Sequence, residues 1–221
     1  MIEIPILPST QMMTRVRPIF NGIGRFIISR IYEEKTYIIY EKELGKSGNK
    51  ITIRENGVQF GKIENLGNAI YLSLRKSDPY LSRKVFNREV RNGHKCFIGV
   101  KNGEIIFYVW TRRYKGRSLD FSKYPIGSKK EIHFFSAVTK REYRGKNIYP
   151  AGIQFLEDYY KDMGYERISC TTLKEKNGEN NSQKALSKIN FRDTGKRIVV
   201  TRFLFCKTSR QNFTVHFDDV Q

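Results

Sequence analysis

The chain has 221 residues, long enough for one sizeable core or for a domain with an extension. Hydrophobic residues make up 39% and aromatics 13%, which excludes a disordered chain. Forty-one Lys and Arg against 22 Asp and Glu give a formal charge of +19, so the surface attracts polyanions such as nucleic acid, an anionic membrane face or a phosphorylated cofactor. The basic residues are spread over the whole chain, which argues against one dedicated patch. In residues 10–31, Met12, Val16, Ile19, Ile23, Phe26, Ile27 and Ile31 recur at helical spacing between Arg15, Arg17, Arg25 and Arg30. The charges and the missing small-residue cleavage site exclude a signal peptide. We expect a basic amphipathic helix packed on the domain; peripheral contact with an anionic membrane, or with a partner, is the alternative.

"KTYIIYEKEL" then reads as a strand, "NKITIRE" as a shorter one, and "AIYLSLRK" as a third. "DPYLSRKVFNREVRNG" reads as a helix, with Asp78 as N-cap, Pro79 in the first turn and Gly93 after its end. "HKCFIGVKNGEIIFYVWTRR" is a hairpin, because two β-rich runs flank the tight-turn pair Asn102-Gly103. "TRRYKGRSLDFSKYPIGSKK" is a basic loop, and "KKEIHFFSAVT" is a strand. Ile153, Leu156, Tyr160 and Met163 share one face of a helix ended by Gly164. "ERISCTTL" (strand), "NNSQKALSKIN" (short helix) and "KRIVVTRFLFCK" (strand) follow, and residues 208–221 read as a polar, fraying tail. Hairpin and crossover in one chain imply an α/β (α+β) fold with a mixed, mostly antiparallel central sheet flanked by helices. We divide the chain into an amino-terminal helical and strand extension (1–75), a core domain (76–207) and the tail (208–221).

Cys96, Cys170 and Cys206 each lie in an apolar, strand-like run and read as reduced core thiols. With only His94, His133 and His216 beside them, no metal site is expected. No uninterrupted apolar span crosses a membrane, and the thiols suit a cytoplasmic protein, with peripheral membrane contact as the variant.

"EYRGKNIYP" joins the strand ending near Thr139 to the helix carrying Ile153. The first N–H groups of that helix have no intrahelical partner and, with the positive end of its dipole, suit an anion; an ordinary basic turn before a helix is the alternative. Arg144 and Lys146 add charge, Gly145 permits close approach, and Asn147 tolerates a left-handed conformation.

"AVTKREYRGKNIYPAGIQFLEDYYKDMGYERISC" resembles the acyl-CoA-binding core of the GNAT N-acetyltransferase superfamily, a strand, then Arg/Gln-x-x-Gly-x-Gly/Ala, then a helix and the next strand. "NNSQKALSKINFRDTG" resembles the family's second cofactor segment, with Ser182, Ala185, Lys188 and Phe191 in register. The resemblance covers about residues 77–207. Arg144 takes the Arg/Gln place, while Asn147 and Tyr149 stand at the later Gly and Gly/Ala places, so the Tyr149 ring has to point away from the pyrophosphate. Glu179 stands where the family often has Asn, with Asn180 and Asn181 beside it, and Asn190 replaces the usual Gly before Phe191.

The resemblance implies an acyl-CoA-dependent N-acyltransferase, with acetyl-CoA or another acyl-CoA as cosubstrate and an amine as acceptor; the basic charge suits an anionic acceptor, with charge that serves only solubility as the alternative. Ala137, Val138 and Thr139 would hold the pantetheine arm by their backbone. Gly145, Lys146, Asn147, Ile148 and Tyr149, with Arg144, would take the pyrophosphate, and Asn180 and Ser182 would complete the cofactor site. A splay between this strand and "RISCTT" would admit the thioester. Glu131 is the closest match to the family's base, commonly acting through water, with His133 on the same strand face; a strand-start surface charge and a half-buried strand residue are their structural alternatives. The family's usual tyrosine acid is replaced by Leu186, which leaves Ser187, Tyr149 or a water. A Cys170 nucleophile is disfavoured, because no His or acidic partner is indicated. The rival class is a basic nucleic-acid-binding module or a catalytically degenerate relative; no nucleic-acid motif occurs, and the aromatics fall at core periodicity.

Overall fold

The computed structural model describes residues 32–45, 51–113, 130–175, 180–203 and 212–217. Among these, eight strands form one sheet: β1 Tyr32–Glu43, β2 Gln59–Lys62, β3 Lys95–Lys101, β4 Glu104–Arg113, β5 Glu131–Thr139, β6 Arg167–Leu173, β7 Arg192–Phe203 and β8 Asn212–Phe217. Four helices accompany them: α1 Asn68–Ser77, α2 Arg83–Arg91, α3 Ile148–Asp162 and α4 Asn181–Lys188. The spatial order is β2-β3-β4-β5-β6-β1-β7-β8. Only β5 and β6 run parallel, because the chain between them crosses over through α3. The sheet is thus mixed and mostly antiparallel, as the alternation of hairpin and crossover implied.

The β3–β4 hairpin closes at Lys101↔Glu104. Asn102 and Gly103 both take positive φ (50° and 74°), the two left-handed residues of a two-residue hairpin turn. The sheet is covered on both faces. One core gathers Phe97, Phe107, Val109, Ile132 and Phe134 with Ile153, Leu156 and Tyr160 of α3 and Leu186 of α4. The other gathers Tyr108 and Trp110 with Tyr71 and Leu74 of α1 and Phe86 of α2.

Several elements differ from expectation. "AIYLSLRK" lies in helix α1, not a strand; Tyr71, Leu74 and Ser77, three residues apart, are buried while Leu72 is exposed. α2 begins at Arg83, and its N-cap is Ser82, whose Oγ accepts from the Val85 N–H at 3.3 Å. Asp78 instead closes α1, its N–H donating to Leu74 O at 2.9 Å, and its carboxylate accepts the Tyr108 hydroxyl at 2.6 Å. Residues 51–53 are not a strand; the Ile51 N–H donates to Gln154 Oε1 of α3 at 3.0 Å. Met163 is 47% exposed, the C-cap of α3 rather than a core residue. Asn212–Phe217, read as part of a fraying tail, pairs with β7. The amphipathic segment 10–31, most of the loop after β4, and Cys206 lie outside the described residues. Cys96 and Cys170 are buried free thiols. No helix of the described residues is long and apolar enough to cross a membrane.

Candidate active site

The β5–β6 ladder runs from Glu131↔Arg167 to Phe134↔Cys170 and stops, although β5 continues to Thr139 and β6 to Leu173. The cause lies in β5. Ser136 takes φ 48°, and the register against β4 slips by one residue between Tyr108↔Val138 and Trp110↔Phe135. The extra residue forms a bulge, which bends a strand and ends local pairing. A left-handed serine costs of order 1 kcal/mol and persists only where its surroundings impose it. The two strands therefore part at their carboxyl ends. Ser136 is exposed, and Ala137, Val138 and Thr139 are half-buried along the opening. The hydroxyls of Thr139 and of Thr172, on opposite sides of it, are buried with no hydrogen-bond partner among the described residues.

Beyond Thr139 a single 3-10 turn, Arg141–Tyr143, leads into the loop. Gly145 takes φ 77° and Asn147 φ 62°, so Asn147 adopts the left-handed conformation at its own position. Its Nδ2 donates to Thr52 O at 3.1 Å, and the Arg54 N–H donates to Lys146 O at 3.2 Å. Residues 51–55 thus brace the loop from a segment far away in sequence. Asn147 makes no side-chain cap on α3, whereas α4 has a complete capping box between Asn180 and Gln183. The N–H groups of Ile148 and Tyr149 have no acceptor within α3, and Pro150 brings none. Arg144 is exposed, with its Nε donating to Thr139 O at 3.1 Å. Lys146 pairs with Glu55 at 2.6 Å; Lys101 pairs with the same carboxylate, and these two hydrogen bonds hold it below the usual range. Tyr149 turns into the core, edge-on to Phe107 with centroids 6.4 Å apart. Burial, and then the neighbouring Cys170 thiol, push its phenol well above the usual range. The loop is left clear of the ring.

The Asn180 side chain is engaged in holding its own helix. Its Oδ1 accepts the Gln183 N–H at 2.9 Å and its Nδ2 donates to Leu173 O at 2.7 Å, which fastens α4 to the end of β6. Ser182 is exposed in the first turn of α4, and Leu186 is fully buried.

Glu131 and His133 are buried on one face of β5, and the structure adds a residue that sequence reading missed. The Ser169 Oγ donates to Glu131 Oε1 at 2.6 Å, and His133 Nδ1 lies 3.1 Å from the same Oγ. With the serine proton on Glu131, Nδ1–H donates to Ser169; the tautomer follows from the network. Burial, then the nearby Arg112 charge, hold His133 well below the usual imidazole range, so the ring is neutral. Ser169 meets His133 only through the parallel register; the one available signal was a serine inside the apolar "RISC". Cys170 is inert, since burial raises its thiol well above the usual range.

β5 parts from its parallel neighbour at a bulge, and a left-handed loop then leads to a helix whose N-cap makes no side-chain hydrogen bond. The model of the Acetyltransferase (GNAT) family matches residues 63–181, more than half of the sequence. The chain belongs to that family. It is similar in fold to a GCN5-related N-acetyltransferase from Sphaerobacter thermophilus (TM-score 0.51, 12% identity, 80% of this chain and 54% of that one). It is also similar to a GNAT-family acetyltransferase from Colwellia psychrerythraea (TM-score 0.52, 13% identity, 78% and 56%). The chain spans little more than half the length of both proteins. No curated protein sequence matches it.

Proposed function

We propose that the protein is an acyl-CoA-dependent N-acyltransferase that moves an acetyl group from acetyl-CoA to an amine by direct attack. The observation that carries this reading is the opening between β5 and β6 leading straight to the uncapped amino end of α3. The backbone of Ala137–Thr139 would hold the pantetheine arm in the manner of an added strand, with the Thr139 and Thr172 hydroxyls as further partners. The N–H groups from Gly145 to Tyr149, with Arg144 and Lys146, would hold the pyrophosphate. The thioester supplies an activated carbonyl. The amine nitrogen forms the new C–N bond as the C–S bond breaks, the amine loses a proton and the thiolate gains one.

Glu131 is the base. It stands three residues before the point where the strands part, about 10 Å along β5, so a water relays the proton. Leu186, buried where the family's usual acid stands, offers no proton, and the thiolate is protonated by another donor. Arg75, Lys76, Lys84, Arg88 and Arg91, exposed on α1 and α2, favour an anionic acceptor.

The test is calorimetric titration with acetyl-CoA, joined to a thiol-release assay over a panel of amines. Arg144→Ala and Gly145→Asp should each weaken acetyl-CoA binding about tenfold or more, the second through its positive φ and its added negative charge. Unchanged affinity in both would refute the site. Steeply salt-dependent binding to random DNA without acetyl-CoA binding would favour the nucleic-acid reading. Binding without turnover on any amine would favour a degenerate relative.

A further inference from the structure

We infer that Ser169 and His133 are positioning residues that orient the Glu131 carboxylate and keep it ionised for catalysis, an inference that rests on Glu131 being the base. The three side chains form one buried line. Ser169 is 1% exposed, His133 0% and Glu131 5%. The distances of 2.6 and 3.1 Å place a single hydroxyl between carboxylate and imidazole. Ser169 carries one proton and gives it to Glu131, and the imidazole N–H directed at Oγ fixes that choice by filling the acceptor side of the hydroxyl. Cross-strand geometry supports it. His133 and Ser169 are partners in the last stretch of parallel pairing before the strands part, so the line sits on the rigid side of the opening.

A buried carboxylate without donors favours its neutral form, which cannot accept a proton; a donor to the charged form reverses this. Charges around the line act on the same balance. Arg167 of β6 stands opposite Glu131 and Arg112 of β4 opposite His133, and both favour the carboxylate. Glu41 and Glu43 of β1 stand opposite Ser169 and Arg167 and oppose it, although Arg192 of β7 pairs with Glu41 at 3.1 Å. His94, beside β3, acts on His133. Of the groups named here, Ser169 is the one that donates a hydroxyl to Glu131. The neutral His133 adds a donor without adding a charge that would compete for the transferred proton.

The experiment is the pH dependence of kcat/KM for the full chain, with acetyl-CoA and the best amine of the panel. Glu131→Gln should lose at least about a hundredfold in kcat with acetyl-CoA affinity retained. Ser169→Ala should keep its alkaline plateau within a few-fold and move the acid limb up by about one pH unit, because loss of the donor raises the carboxyl pKa. Ser169→Thr should restore the limb, and His133→Asn, which keeps a donor near Nδ1, should displace it less than His133→Ala. If Ser169→Ala does not fold, Ser169→Cys, with its weaker donor, should give a smaller shift of the same sign. An acid limb unmoved in the folded serine variants, with Glu131→Gln inactive, overturns the positioning role while leaving the base in place. Full activity in Glu131→Gln removes the base and this inference together.

Discussion

Gly152 lies where α3 packs tightly on the sheet, and replacing it tests how the amino-terminal half of that helix is held. A Cβ built there would stand 2.4 Å from Phe107 Cε1, 2.7 Å from Cζ and 3.0 Å from Cδ1. Carbon atoms prefer about 3.5–4.0 Å, so ring or helix must move by roughly 1 Å. Phe107 is 1% exposed and lies against Phe60 and Tyr149, so its ring has little room. In an exposed helix interior, Gly→Ala stabilises by about 0.5–1 kcal/mol. Overpacking costs about 1–3 kcal/mol, which reverses the sign. Gly152→Ala should therefore destabilise by about 1–2 kcal/mol, a fall of ~2–8 °C in Tm for a chain of this size. Because the strain falls one turn from Asn147, acetyl-CoA affinity should drop as well. Urea unfolding and calorimetric titration read the two effects. Adding Phe107→Leu, which frees space on the facing strand, should cost less on the Gly152→Ala background than on the wild type. A Gly152→Ala protein as stable as the wild type would show that the helix is not held by this contact.

Asn147→Ala loses the bond to Thr52 and meets the left-handed cost without a polar side chain to offset it, about 1–2 kcal/mol together, whereas Asn147→Gly should stay within about 1 kcal/mol of the wild type; equal melting temperatures for the two would sink the left-handed argument. For Glu89, 3% exposed, burial raises the carboxyl pKa, but hydrogen bonds from His94 and Arg88 outweigh it and the net direction is downward. Its contribution is thus present above the unfolded carboxylate value near ~4.3 and lost as pH falls below it. Urea midpoints of wild type and Glu89→Gln should differ most at neutral pH and converge towards pH 3, and a constant gap would contradict the pairing. Cys96 and Cys170, both raised by burial, should resist iodoacetamide at pH 8 until the protein unfolds.

Local chemistry made part of this structure readable. Asn-Gly between two β-rich runs specifies its hairpin with no tertiary help, and Asn147 revealed a left-handed turn because few residues other than glycine tolerate one. The Tyr149 ring lies against Phe107, the inward direction that the family resemblance implied for it. The misreadings have physical sources. "AIYLSLRK" is short and apolar enough to suit either period, and only the packing of Tyr71 and Leu74 on Tyr108 and Trp110 decides for helix. Asp78 and Ser82 are both good caps four residues apart, and the Tyr108 hydroxyl draws Asp78 into another role. The bulge at Ser136 leaves no compositional trace, because serine rarely adopts that conformation unaided. Ser169 became visible only once β6 lay beside β5 in a definite register.

β1 sits between β6 and β7 although it precedes both by more than half the chain. At ~5–20 residues per second, a ribosome needs on the order of ten seconds between making Tyr40 and making its partner Cys170. Through that interval the β3–β4 hairpin has its partners, while β1 waits with both edges unsatisfied. Closing so long a loop is slow in refolding as well. The apolar "YIIY" of this strand therefore stays without its sheet partners until β6 and β7 have been made.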